Sequence, residues 1–99
     1  MRQSTYVADS RIHGKGLFAA RRIRAGTVIG RLRVRPVRGD GTYVLWLDEQ
    51  RAVEVICDLR FINHAERPNA CYYDDLSVVA LRDIEIGEEI THDYACGDW

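Results

Sequence analysis

Apolar and polar positions alternate in short bursts along this chain of 99 residues, with no long helical period anywhere. TYVA from Thr5, GLFAA from Gly16, TVIGRL from Thr27 and TYVLWL from Thr42 are rich in β-branched and aromatic residues. So are AVEVIC from Ala52, ACYY from Ala70, LSVVAL from Leu76 and EEITHDY from Glu88. Such segments predict strands, because branched and aromatic side chains pack well on a pleated surface. Turn-forming clusters separate them: HGKG, RAG, RGDG, ERPN, YDD and EIG. DLRFINH, from Asp58, offers one short helical turn. The pattern predicts a mostly β domain of small, twisted sheets.

The pattern also repeats. Ala19, Arg21, Ile23, Gly26 and Ile29 recur as Ala80, Arg82, Ile84, Gly87 and Ile90, at a constant offset of 61 positions. Each copy places a glycine where a strand connection calls for positive φ, then resumes with β-branched residues. Two related hairpin-like units are the economical explanation, and they concern architecture rather than chemistry.

Length bounds the answer to one domain with a modest core, and a small core makes a homodimer plausible. The chain is 46% apolar and 29% charged with a net charge of −1, which gives no electrostatic reason to expect direct nucleic-acid binding. The charge is unevenly spread. Residues 1–50 carry ten Lys/Arg and four Asp/Glu; residues 51–99 carry four and eleven. Either the halves interleave and neutralise one another, or the second half forms an acidic surface that attracts a basic peptide. Three cysteines, Cys57, Cys71 and Cys96, form no CxxC pair and suggest a reduced, intracellular chain. No apolar run approaches a membrane span and no signal-peptide core is visible, so a cytoplasmic location is expected, without membrane association.

Two loops carry candidate chemistry. SRIHGKGLFAA sets Gly14 and Gly16 around Lys15 directly before a strand, where the backbone could approach a ligand closely; a plain turn is the simpler alternative. RFINHAERPNACYY, from Arg60, brings Asn63, His64 and Asn69 together around Pro68. Neutral amides can satisfy both the ammonium and the carboxylate of an amino-acid-like ligand. They can equally bond their own backbone in a turn. Cys57, His64, Cys71 and Cys96 contain zinc-type donors, but their spacing fits no usual finger or ribbon, and no metal is expected. Tyr94, beyond the acidic turn of GEEITHDYACGDW, taken alone reads as a packing residue, and the case for a function rests on the motifs jointly.

Taken in order, HGKGLFAARRIRAGTVIG, RFINHAERPNA and ALRDIEIGEEITHDY resemble the SET domain of protein-lysine methyltransferases, and GTYVLWLD falls between the first two. The resemblance spans nearly the whole chain. It implies a SET, β-clip-like fold with a C-terminal pseudoknot, a single domain over residues 1–99, and S-adenosylmethionine as methyl donor. By the same resemblance, the backbone around Gly14, Lys15 and Gly16 contacts the donor's methionine part and Asn63 holds its amino-acid end. The backbone of His64 pairs with the adenine, Tyr43 lines both donor and lysine sites, and Tyr94 is the catalytic tyrosine. Arg60, Phe61, Ile62 and Arg82, in the same motifs, read as structural.

The departures from the family pattern are informative. Glu66 stands where many relatives have a zinc-binding cysteine, so a zinc-bound post-SET lid is not expected, nor is a pre-SET domain. Trp99 is a candidate cover for the site. His92 occupies the position where relatives often use Phe or Tyr to set how many methyls are added. His92, Tyr43 and Trp99 are therefore the substrate-channel candidates. The leading reading is a protein-lysine N-methyltransferase acting on a lysine in a basic protein or peptide. A non-catalytic SET-like binding module that needs a partner is the alternative, and a β-rich assembly protein sharing only the fold is a third.

Overall fold

A computed structural model describes residues 4–73 and 75–92. Among these residues, ten short strands and one 3-10 turn form. In chain order the strands are β1 (Thr5–Asp9), β2 (Lys15–Ala19), β3 (Val28–Arg31), β4 (Val34–Val37), β5 (Val44–Trp46) and β6 (Ala52–Val55). After the 3-10 turn Asp58–Phe61 come β7 (Asn63–His64), β8 (Ala70–Tyr72), β9 (Ser77–Ala80) and β10 (Glu89–His92).

They assemble into three small sheets, ordered β1-β2-β10-β7, β3-β9-β8 and β4-β6-β5. The first sheet positions the site. β10 returns from the end of the chain to lie antiparallel to β2 and parallel to β7, pairing Ile90 with Leu17 and Thr91 with Asn63. A late segment is thus inserted between two earlier ones. Each predicted strand segment contains a strand, and the predicted helical turn forms within DLRFINH. Two strands were not anticipated. β4 carries Pro36, which is tolerated because β4 lies at the edge of its sheet. β7 is only two residues long, and its ladder depends wholly on the distant β10.

The internal echo proves to be a clasp. Ile23 and Ile84 form a mutual bridge, with Ile23 N–H donating to Ile84 O at 2.8 Å and Ile84 N–H to Ile23 O at 2.7 Å. Gly26 N–H reaches Ala80 O, and Gly87 N–H reaches Ala19 O, both at 2.8 Å. Each copy therefore binds the opposite copy through equivalent positions. Both glycines sit at positive φ, +85° and +82°, a region that L side chains rarely adopt.

The core lies beneath these strands. Leu17, Ala19, Ile23, Val55, Leu59, Ile62, Ala70, Val78, Ala80, Ile84 and Ile90 form one buried cluster with Leu32. Burying each large aliphatic side chain stabilises the fold by about 1.5–3 kcal/mol. The unequal charges of the two halves meet across the molecule: Arg22 pairs with Asp83 and Glu85, Arg31 with Asp75, and Arg35 with Glu54. These contacts favour interleaving over a segregated acidic face. As exposed, solvent-screened pairs they add little to stability.

Candidate active site

The RFINH stretch turns from helix to strand at the site. Leu59 anchors the 3-10 turn in the core, Ile62 is buried beside it, and Ile62 N–H closes the turn onto Leu59 O. The backbone then extends into β7, which fixes Asn63 and His64 against Thr91 and His92. Ala65 N–H continues the ladder to His92 O at 3.0 Å.

A cavity of about 350 Å³ opens where these elements meet. That volume lies in the range of small-molecule sites. His13, Gly14 and Lys15 form one part of its wall, Thr42 to Leu45 another, and the segment 60–64 a third; Tyr72 and His92 complete it with Val55. Gly14, Lys15, Tyr43, Asn63, His64 and His92, all named from the sequence, therefore converge on one space. Gly16 does not line it. It is buried in β2, where a Cβ would lie 2.9 Å from Glu89 Cδ and 3.0 Å from Ser10 Cβ. Its glycine identity makes room for a carboxylate beneath the loop. Tyr94 and Trp99 lie outside the described residues.

The cavity wall is aromatic at two levels. Tyr43 meets Phe61 edge-on with ring centroids 5.9 Å apart, and the Arg60 guanidinium lies over Phe61 at 4.4 Å and over Tyr43 at 5.8 Å. His92, buried, stacks on Tyr72 at 4.4 Å and approaches the His64 ring edge-on at 6.2 Å. Sequence reasoning missed Arg60 and Phe61 as wall residues and did not consider Tyr72. Their adjacency to the Asn-His pair in the first case, and an aromatic doublet in ACYY in the second, were the available signals.

The polar part of the wall is tied down from below. Asn63 Nδ2 lies 3.1 Å from each of His13 O, Lys15 O and Ser10 Oγ, and 3.0 Å from Glu89 Oε2. Ser10 Oγ donates to the Glu89 carboxylate at 2.7–2.8 Å and accepts from Ile12 N–H at 2.9 Å. Ser10 N–H closes the loop onto Gly14 O at 2.8 Å. Asn69, in contrast, is structural: at 1% exposure it holds β10, its Nδ2 donating to Glu89 O and its Oδ1 accepting from Thr91 N–H, both at 2.8 Å.

The zinc-type donors do not assemble among the described residues, where no group of three or more His, Cys, Asp or Glu side chains is placed to hold a metal ion. Cys57 Sγ accepts from Arg33 N–H and Cys71 is buried in β8; Cys96 lies outside the described residues. Among those residues no helix is long and apolar enough to cross a membrane.

Comparison with known proteins decides the family. The SET domain model matches residues 14–95. The chain belongs to the SET-domain family. The histone-lysine N-methyltransferase trithorax of Drosophila virilis is 33% identical over 113 aligned positions, covering 89% of this SET domain and 3% of the relative. The histone-lysine N-methyltransferase TRX1 of Oryza sativa subsp. japonica is 34% identical, covering 86% and 11%. This SET domain therefore spans only a small part of the length of the curated relatives it matches. A crystal structure of a Plasmodium falciparum protein assigned as a histone methyltransferase superposes with a TM-score of 0.78 at 18% identity, covering 100% of this chain and 99% of the other. That likeness establishes the fold, mostly β with small sheets, as the strand pattern predicts.

Proposed function

We propose that this SET domain transfers a methyl group from S-adenosylmethionine to the side-chain amine of a lysine in a basic protein segment, with Tyr94 as the catalytic residue. One observation carries the reading: a single cavity gathers the glycine loop, Tyr43, the Asn-His pair and His92 at the crossing of β7 and β10. The names of the relatives, histone-lysine methyltransferases, support the substrate class.

The lining suits such a donor. Asn63 Oδ1 makes no hydrogen bond among the described residues, which leaves an acceptor for an ammonium, while Phe61, Tyr43 and Tyr72 offer flat apolar surface. When bound, the donor supplies an electrophilic methyl on a sulfonium. The protein's own task is to present the lysine neutral and aligned. With a free-lysine pKa of about 10.4, deprotonation near pH 7.4 costs about 4 kcal/mol. Aromatic walls that exclude water, and the guanidinium of Arg60 against them, disfavour the ammonium. Tyr94, two residues beyond His92 in the chain, would orient the amine, so that alignment rather than a strong base drives the transfer.

Calorimetry with S-adenosylhomocysteine, together with isotope transfer from labelled S-adenosylmethionine to a pool of basic proteins, tests this. Binding with transfer, and loss of transfer but not of binding in Tyr94→Phe, is expected. Binding without transfer would mark a non-catalytic module needing a partner; absence of both would overturn the reading.

A further inference from the structure

Among the described residues, Asn63 is the one side chain that joins the cavity to the network beneath it, and its amide can face either way unless something fixes it. Its Nδ2 is surrounded by four oxygens. The carbonyls of His13 and Lys15 can only accept. The Glu89 carboxylate, when ionised, can only accept. Ser10 Oγ has its proton directed at Glu89 and so also stands as an acceptor toward Asn63. Turning the amide over would set Oδ1 against these oxygens.

We propose that Glu89 is a positioning residue that fixes the polarity of Asn63, so that Asn63 offers the cavity an acceptor and never a donor. Glu89 acts at two points. It accepts from Nδ2 directly, and it orients the Ser10 hydroxyl so that the hydroxyl proton is unavailable to Asn63. Gly16, the residue whose missing side chain leaves room for this carboxylate, belongs to the same device. The chemical consequence is selectivity for a cationic amino group in the ligand. The inference rests on the donor-binding reading of the cavity.

The decisive variant is Glu89→Gln, which keeps the shape but sets an NH2 donor where the carboxylate only accepted, leaving the His13 and Lys15 carbonyls alone to oppose a turn of the Asn63 amide. S-adenosylhomocysteine and its analogue lacking the amino group are titrated calorimetrically into the wild-type protein and the variant. We expect Glu89→Gln to weaken S-adenosylhomocysteine about tenfold while the deaminated analogue changes less than twofold. Equal losses for the two ligands would make Glu89 merely structural, and no loss for either would refute its role. Side-chain amide exchange of Asn63, read by NMR without ligand, supplies a separate arm: protection in the wild type and its loss in Glu89→Gln are expected, and unprotected amide protons in the wild type would overturn the proposal. If Asn63 is protected as expected but neither ligand binds the wild type, the donor-binding reading fails while the hydrogen-bond device stands.

Discussion

Replacing Asn69 with alanine should unfasten the strand on which the site is built. Asn69 is 1% exposed, and its side chain acts as a substitute peptide group for β10. Nδ2 donates to Glu89 O at 2.8 Å, Oδ1 accepts from Thr91 N–H at 2.8 Å, and a weaker contact reaches Glu88 Oε2 at 3.3 Å. Removing the side chain leaves one backbone carbonyl and one backbone N–H without these partners. Each such orphaned group costs about 1–3 kcal/mol, and a water entering the vacated space would recover part of it, so about 3 kcal/mol is the expected loss. A chain of this size has about 5–15 kcal/mol of stability in total, so the change removes a large fraction.

Urea denaturation followed by circular dichroism measures this directly. The midpoint should fall without a change in slope, and Tm should drop by about 10–20 °C. Affinity for S-adenosylhomocysteine should fall as well, because β10 carries Thr91 and His92 alongside Asn63 and His64. Asn69→Asp is the control: it keeps an acceptor for Thr91 N–H but sets a carboxylate against Glu89 O, so it should be no better than alanine at neutral pH. A loss below about 1 kcal/mol in Asn69→Ala would refute the claim that the amide holds the strand.

Other outcomes follow from the same contacts. Gly16→Ala should displace the Glu89 carboxylate, with its bonds to Ser10 and Asn63, and lower stability by about 2 kcal/mol, since bonds to charged groups contribute about 1.5–3 kcal/mol; an unchanged denaturation midpoint would contradict this. Gly87→Ala, at φ +82°, should cost about 1–2 kcal/mol from backbone strain alone, since a Cβ there would meet no atom within 4 Å. Arg82, hydrogen-bonded to Glu88 at 2.7 Å, is the main cause that holds the Glu88 carboxyl below its ordinary value of 4.5. That stabilisation is present in full above pH 4.5 and is lost as pH falls through the lowered value; the NMR titration of Glu88 should move upward in Arg82→Gln.

Local chemistry made part of this fold legible and long-range pairing hid the rest. The strands that carry branched or aromatic runs could be read directly in all three sheets, because burial and alternation act over four or five residues. β4 could not, since Pro36 argues against a strand unless its edge position is known. β7 could not either, since a two-residue strand has no period. The echo of Ala19–Ile29 in Ala80–Ile90 was visible as similarity, yet its meaning, two copies clasping each other, required the Ile23–Ile84 bridge. At the site, residue types that suggest ligand chemistry pointed to the glycine loop and the Asn-His pair. They did not separate Gly14 and Lys15, which line the cavity, from Gly16, which serves the carboxylate below.

The two asparagines show why motif reading alone could not divide the work. Asn63 and Asn69 are the same residue type six positions apart, and both bind β10's neighbourhood through their amides. Asn69 has both ends engaged by β10, donating to Glu89 O and accepting from Thr91 N–H. Among the described residues, only the NH2 group of Asn63 is engaged, by the loop and by the Glu89 side chain. Glu89 thus offers its backbone oxygen to one amide and its carboxylate to the other, joining the strand that is held to the loop that is shaped. An amide with an uncommitted oxygen at a cavity wall can serve a ligand; one with both ends engaged in the interior can serve only the fold. The distinction lies in what β10 leaves unbonded, and it therefore arises only once the end of the chain has returned between β2 and β7.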